Sequence, residues 1–414
     1  MSDFEATIAD TLNDAREAQT RFLAELVKVP SDNPPGDCRA HAERAAELLE
    51  GLGFTVERHA VPQETVEAAG MISATNLIVR RTFGKGGPTI ALNAHGDVVP
   101  PGEGWTKDPY GAEVVDGWMY GRGVAVSKSD FATYTYALIA LDAAAKAGAG
   151  LNGTIELHFT YDEEAGGEIG PRWLIDQGLT KPDLSIGAGF SYNVVTAHNG
   201  CLHLEVTVTG KSAHAAMPFT GHDALEAANA VLSALYSWRN GLAAKTSKIV
   251  GIGSPQCTVG LISGGINTNV VPDKVRLRLD RRMIPEENPD AVEQELRGLI
   301  EAAAKPFPGI AVKIRRILLA APLTPLDGGQ TLVDRLSERA TAVMGERVEA
   351  KGVPLYTDAR HYTAAGIPTV LYGAGPHTIE EANAHRADER LPLDDLYNAT
   401  EVVALTLYDL LSGR

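Results

Sequence analysis

The run Asn93-Ala94-His95-Gly96-Asp97-Val98-Val99-Pro100 sets an imidazole and a carboxylate two residues apart. Residues 89–92 just upstream are apolar enough to form a short buried strand, so His95 ends a strand with an acid close behind it. A histidine so placed can bind a transition metal, and the acid can orient it or a neighbouring ligand. The same residues also make an ordinary turn, so their weight rests on their company. A second strand-to-loop junction has the same character. Residues 154–160 alternate apolar and polar and run into Asp162-Glu163-Glu164. Consecutive acids repel one another unless solvent or a cation relieves them. In a metal site, one carboxylate would be a ligand and another the general base for a bound water; in a plain turn all would be solvated. His385, in the polar run Asn383-Ala384-His385-Arg386-Ala387-Asp388-Glu389, adds another imidazole, for which a surface position is equally open.

The elements that must hold these residues read as α/β. Phe4, Ile8, Leu12, Ala15, Phe22 and Leu26 recur at helical spacing until Pro30 and Pro34-Pro35 stop the helix. A helix over about 38–52 passes through Gly53 into a strand at 54–57. Strands near 75–81 and 88–94, a helix over roughly 128–147 and the strand at 153–160 follow. Between about 201 and 320 the pattern becomes a smaller unit. Residues 202–208 and 275–280 alternate with period two, and helices near 222–239 and 288–304 separate the strands, which suits an open sheet with helices on one face. Residues 369–372 return to the first domain, and an amphipathic helix carrying Leu396, Val403, Leu407 and Leu410 ends it. The expected division is therefore 1–200 with 321–414 as a catalytic, metal-binding domain, and 201–320 as an inserted lid.

Composition narrows the classes. At 414 residues two domains are expected. A formal charge of −16 disfavours nucleic acid and anionic membranes as partners. Cys38, Cys201 and Cys257 are few and widely spaced, which predicts reduced thiols, with Cys201 and Cys257 as small core residues. No export signal or membrane-spanning segment is visible, so a cytoplasmic protein acting on a small molecule is expected.

Together the motifs resemble the co-catalytic metallohydrolases that include acetylornithine deacetylase, succinyl-diaminopimelate desuccinylase, aminoacylase and carboxypeptidase G. The resemblance covers nearly the whole chain in order. It runs through His95–Pro100, Gly104–Tyr110, Gly121-Arg122-Gly123, Asp162-Glu163-Glu164, Gly210–Pro218, Gly264–Pro272, Asp280–Pro285, Thr357–Arg360, Tyr372–Gly375 and His385. It implies a zinc-peptidase-like catalytic domain, with a central mixed sheet flanked by helices, and an inserted smaller α+β lid domain through which a homodimer or higher oligomer forms. It also implies that His95, Glu164 and His385 are metal ligands and Glu163 the general base. Asp97 would fix the His95 tautomer, and His214 would stabilise the oxyanion. Asn269 and Arg282 would hold the substrate's polar end, with Arg282 suited to a carboxylate, and Gly375 would lend a backbone amide.

Two departures qualify this picture. Relatives usually read Gly-Arg-Gly-x-x-Asp-x-Lys-Gly, with the Asp bridging two metals, where this chain has Val126. A further ligand usually sits in Asp-x-x-Ile-x-x-Glu-Pro, where this chain has Gly189. Neither residue can ligate. Without the bridging anion two cations would repel, so one loosely held divalent metal (Zn, Mn or Co) is expected. Asp130, about one helical turn beyond Val126, and His198 are candidate replacements, against readings of Asp130 as part of a helix start and His198 as a structural residue. Three functions stay open on sequence: a hydrolase of N-acyl amino acids or dipeptides, an aromatic aminohydrolase acting on a 5-nitroanthranilate-like substrate, and a metal-free binder of small acids.

Overall fold

The computed structural model describes residues 3–413. The chain divides into two compact units. The larger runs through Thr196 and resumes over Pro325–Lys351 and from Thr357 onward; the smaller comprises Ala197–Thr324 and Gly352–Tyr356. Among the described residues no helix is long and apolar enough to cross a membrane.

The larger unit is built on an eight-stranded mixed sheet. Its strand order is Val56–Ala60, Thr75–Phe83, Gly153–Thr160, Thr89–His95, Leu184–Gly187, Thr369–Leu371, Val194–His198 and Ala350–Val353. Thr89–His95 lies parallel to both its neighbours, with His95 opposite Thr160 and Asn93 opposite Gly187. Gly187 in turn stands opposite Leu371, also in parallel. Four parallel strands therefore end together. The chain leaving them, at residues 96–97, 161–164, 188–189 and 372–375, is gathered at the carboxyl edge, where open α/β sheets form their sites. Leu92, Phe159, Ile186 and Val370 join a core shared with the helices Asp3–Val27, Lys128–Lys146 and Leu393–Ser412.

The period-two pattern of the strand Gly153–Thr160 does not mark a wet face. Glu156 and His158 are buried, joined to one another at 2.9 Å, with Tyr362 on the far side of the His158 ring at 2.8 Å. Arg80 and Thr180 complete the network on Glu156. A buried polar row costs little once each member is hydrogen-bonded.

The smaller unit is a four-stranded antiparallel sheet in the order Gln256–Gly264, Lys274–Met283, Gly200–Thr209, Ala311–Ala320. Leu202, Leu204, Val206 and Val208 alternate onto one face. There they meet Val275, Leu277 and Leu279 and the helices Ala224–Asn240 and Pro289–Ala304. Both helices begin on a side-chain cap: Asp223 accepts from the amides of Leu225 and Glu226, and Asn288 from that of Ala291. The opposite face is polar. Glu205 there pairs with Arg278 and Arg315. Cys257 and Cys201 are both buried, as expected, but on opposite faces: Cys257 joins the core under the helices, whereas the parity of Cys201 sets it on the helix-free face, where its thiol lies 3.3 Å from His203 Nε2.

Candidate active site

Asp97 organises the carboxyl edge. It is fully buried, and its carboxylate accepts the amide of Glu163 at 3.2 Å, the amide of Glu164 at 3.1 Å and the Asn33 side-chain amide at 3.0 Å. The acid two residues past His95 thus fixes the turn that carries the other two acids. Its expected bond to the His95 ring is made differently. Nδ1 lies 2.9 Å from the Asp97 carbonyl, and the carboxylate stands off at 3.5 Å because it is committed to the Glu163 and Glu164 amides. With Nδ1 donating to that carbonyl, Nε2 is left as the acceptor, the tautomer a metal ligand needs. Ser127 secures the backbone of His95, its hydroxyl accepting from the amide at 3.0 Å and donating to the carbonyl at 3.1 Å.

Ring and acids converge. Ligand atoms of His95, Glu163 and Glu164 all lie within 4.8 Å of one another, and His95 Nε2 is 4.0 Å from a Glu163 oxygen. His385 Nε2 stands 3.3 Å from Glu164. The structure therefore brings together four of the residues expected at the centre, from parts of the chain almost three hundred positions apart. The electrostatics ask for a cation. Burial raises Glu163 well above the usual carboxylate range, and its acidic neighbours Glu164, Asp358 and Asp97 add to the shift. Burial likewise pushes Asp358 up to about 7, against the pull of Arg360. Burial disfavours charge on His95, yet the Asp97 carboxylate 3.5 Å from the ring and the field of Glu163 outweigh it and raise the ring well above its ordinary value. An imidazole and two carboxylates whose ligand atoms lie within 4.8 Å of one another make a donor set that fits a divalent ion.

The loop that brings His385 is tied down by residues that sequence reasoning quoted but did not interpret. Arg122 and Glu389, both about 1% exposed, form an ion pair at 2.6 Å. Arg122 also reaches the carbonyls of Pro101 and Arg386, while Glu389 accepts the amides of Ala125 and Val126. Asn383, His385 and Asp388 all have left-handed backbone, with φ of 49°, 61° and 55°. Three non-glycine residues so disposed in one loop are unusual, and such conformations gather at functional sites.

At the position of the missing ligand, Gly189 leaves no room for a side chain. A Cβ on Gly189 would lie 2.9 Å from the Tyr372 amide nitrogen and 3.1 Å from the Leu371 carbonyl carbon, both backbone atoms. The buried Asp130 carboxylate accepts from Gly189 at 3.2 Å and Ala374 at 2.8 Å, joining two of the loops. His198 is buried, with its Nδ1 2.9 Å from the Asn199 carbonyl oxygen and 3.2 Å from the Leu323 amide nitrogen. The Gly375 amide donates to the Ser191 hydroxyl at 3.1 Å.

In the smaller unit, the short strand Ala213–His214 pairs with Val270–Val271, and Asn269 accepts the Ala215 amide at 3.0 Å. Exposed His214 and exposed Asn269 are thereby neighbours. His214 Nδ1 accepts the Ala216 amide at 3.1 Å, so the neutral ring carries its proton on Nε2, where it can be donated. Arg282 is held against Asp280 through Nε at 2.9 Å and Nη2 at 3.1 Å, and its guanidinium lies 5.7 Å from the centre of the Tyr356 ring.

Comparison with known proteins agrees with this geometry. The model of peptidase family M20/M25/M40 matches residues 91–409. The chain is 30% identical to an acetylornithine deacetylase of Myxococcus xanthus over 98% of its own length and 100% of the relative's. Among solved structures, an M20-family metallo-carboxypeptidase from Sulfolobus solfataricus shares the fold with a TM-score of 0.76 at 19% identity, covering 95% of this chain and 99% of that one. A dinuclear metal-binding peptidase of the same family from Bacillus subtilis does so at 0.66 and 19%, covering 96% and 99%.

Proposed function

The chain belongs to peptidase family M20/M25/M40 and is a hydrolase of amide C–N bonds, and we propose that it cleaves the amide of a small N-acylated amino acid or dipeptide with one divalent metal. The observation that carries the reading is the convergence of His95, Glu163 and Glu164 at the carboxyl edge of the sheet. His95, Glu164 and His385 would hold the ion, which is Zn, Mn or Co by donor type. Bound there, it would polarise the scissile carbonyl and make a water acidic enough to attack near neutral pH. Glu163, its pKa raised by burial and by neighbouring acids, takes the water's proton and returns it to the leaving nitrogen. Asp97 and Asn33 keep that base in position. His214 is assigned the oxyanion through Nε2–H. Asn269 and Arg282 are assigned the substrate's polar end, Arg282 retaining Nη1 for a carboxylate while Asp280 engages its other nitrogens.

Occupancy by one metal, where the Bacillus subtilis neighbour binds two, is supported by Val126, by the backbone packed against Gly189 and by the engagement of Asp130 elsewhere. The smaller unit also exposes Phe219, Leu261, Ile262 and Ile266, apolar surface that would suit a homodimer. A cytoplasmic setting completes the reading. The test is metal analysis after loading, joined to an amide-hydrolysis screen of N-acyl amino acids with wild type and Glu163→Gln. One metal per chain that is lost on His95→Ala, held by both proteins, with turnover only in the wild type, is the expected result. Release of ammonia from an aromatic amine, with no amide cleaved, would replace this reading by the aminohydrolase one. A protein that takes up no metal would refute both.

A further inference from the structure

The register of the smaller sheet sets a second group of metal-binding side chains on its helix-free face. Cys201 stands opposite Arg282, and His203 opposite Asp280, in the ladder between Gly200–Thr209 and Lys274–Met283. Because strands alternate sides, all four point to one face. The Cys201 sulfur is 3.3 Å from His203 Nε2 and 3.8 Å from Asp280 Oδ2, and His203 Nε2 is 2.9 Å from the same Oδ2. We propose that Cys201, His203 and Asp280 form a thiolate-containing site for a divalent transition metal such as Zn(II), separate from the hydrolytic centre.

The distances carry the argument. Ordinary Zn–S, Zn–N and Zn–O bond lengths at tetrahedral angles separate the donor atoms by about 3.4–3.6 Å. The observed triangle has sides within about 0.5 Å of that range, so small rotations of the side chains suffice. The set is also chemically selective. A thiolate with an imidazole favours zinc, cobalt or cadmium over magnesium or calcium. His203 and Asp280 are each about one-third exposed, at 35% and 33%, which leaves an open side for entry and for a water as fourth ligand.

Two competing uses of these residues fit less well. A nucleophilic triad needs its histidine to hold the thiol through one ring nitrogen and the acid through the other. Here Nε2 faces both partners. The guanidinium of Arg282 beside Asp280 is compatible with a cation. In the metal-free pair, Asp280 and Cys201 hold His203 in its protonated form, with a pKa pushed up to about 9. Arg282 donates to both oxygens of Asp280, Nε to Oδ1 at 2.9 Å and Nη2 to Oδ2 at 3.1 Å, so metal binding displaces the contact to Oδ2 and keeps the one to Oδ1.

Cobalt titration of the reduced full-length protein tests this. No cysteine belongs to the hydrolytic centre, so a thiolate-to-cobalt charge-transfer band in the near ultraviolet reports only a cysteine-containing site. Wild type is expected to develop the band, and His95→Ala to retain it. Cys201→Ser should lose it, and His203→Ala and Asp280→Asn should weaken cobalt binding on the order of ten-fold or more. Zinc should then erase the wild-type band by displacement. No band in cobalt-saturated wild type, or a band that persists in Cys201→Ser, overturns the proposal. His95→Ala separates this outcome from failure of the hydrolytic reading, since a band kept there depends on nothing at that centre.

Discussion

Replacing Asp97 by Asn tests whether its carboxylate, rather than the His95 ring it was expected to orient, is its working part. The carboxylate accepts three hydrogen bonds: one oxygen takes Glu163 N–H, and the other takes Glu164 N–H and Asn33. An asparagine must turn its NH2 toward one side or the other. The less costly choice faces Glu163, sacrificing one charge-assisted bond of about 1.5–3 kcal/mol and leaving a buried donor unmatched at about 1–3 kcal/mol. The two surviving bonds also lose their charge assistance. The sum, on the order of 3–6 kcal/mol, is a large share of the ~5–15 kcal/mol that stabilises an ordinary domain, so the turn carrying Glu163 is expected to move. A 1 Å displacement of a reacting group costs roughly a hundred-fold in rate. The His95 bond to the Asp97 carbonyl does not involve the side chain and survives. D97N should therefore lose at least about a hundred-fold in kcat while its metal content falls much less, read by steady-state kinetics, metal analysis and urea unfolding. A variant with wild-type stability and kcat, or one that loses its metal while the stability of the turn is untouched, refutes the reasoning.

Three further outcomes follow. Gly189→Ala should destabilise the protein by about 1–3 kcal/mol in urea unfolding, because its methyl meets the Leu371–Tyr372 backbone; Val126→Asp alone should leave the metal content unchanged from wild type. Arg122→Met strands the buried Glu389 charge and should cost about 3–5 kcal/mol, whereas the double change with Glu389→Leu should recover much of it. Burial pushes Glu156 up, but hydrogen bonds from His158, Thr180 and Arg80 win and hold it at about 2, below its unfolded value of 4.5. Its stabilisation, on the order of 3 kcal/mol, is complete above pH 4.5 and is lost as pH falls toward 2. Glu156→Gln should flatten that acid limb in pH-dependent unfolding.

The parts of the site legible in the sequence are those that lie at strand ends. His95 and Glu163-Glu164 follow apolar runs whose period announces a strand, and the parallel pairing of those strands brings the junctions together. His385 was visible as an imidazole in a polar loop, but its approach to Glu164 depends on the buried Arg122–Glu389 pair, which spans 267 positions and leaves no local pattern. The function of the Asp97 carboxylate was hidden for a related reason: its partners are backbone amides, which every residue has. The alternation of residues 154–160 named the strand correctly and said nothing about what covers its polar side, since Glu156 and His158 are satisfied by Arg80, Thr180 and Tyr362 from elsewhere. Cys201 read as a core residue because thiols are commonly buried. Only the pairing with a strand some eighty positions later sets His203 and Asp280 beside it.

That pairing bears on how the smaller sheet finds its alignment while folding. A slip of one residue between Gly200–Thr209 and its partner strands would turn Cys201, His203 and Glu205 under the two helices and send Leu202, Leu204 and Val206 into water. Buried beneath the helices, Glu205 would lose Arg278 and Arg315, and His203 would lose Asp280. The charged face thus works as a proofreading surface: a slip by one residue strands several ions at once, and only pairings of the native parity let apolar and polar rows find their own kind.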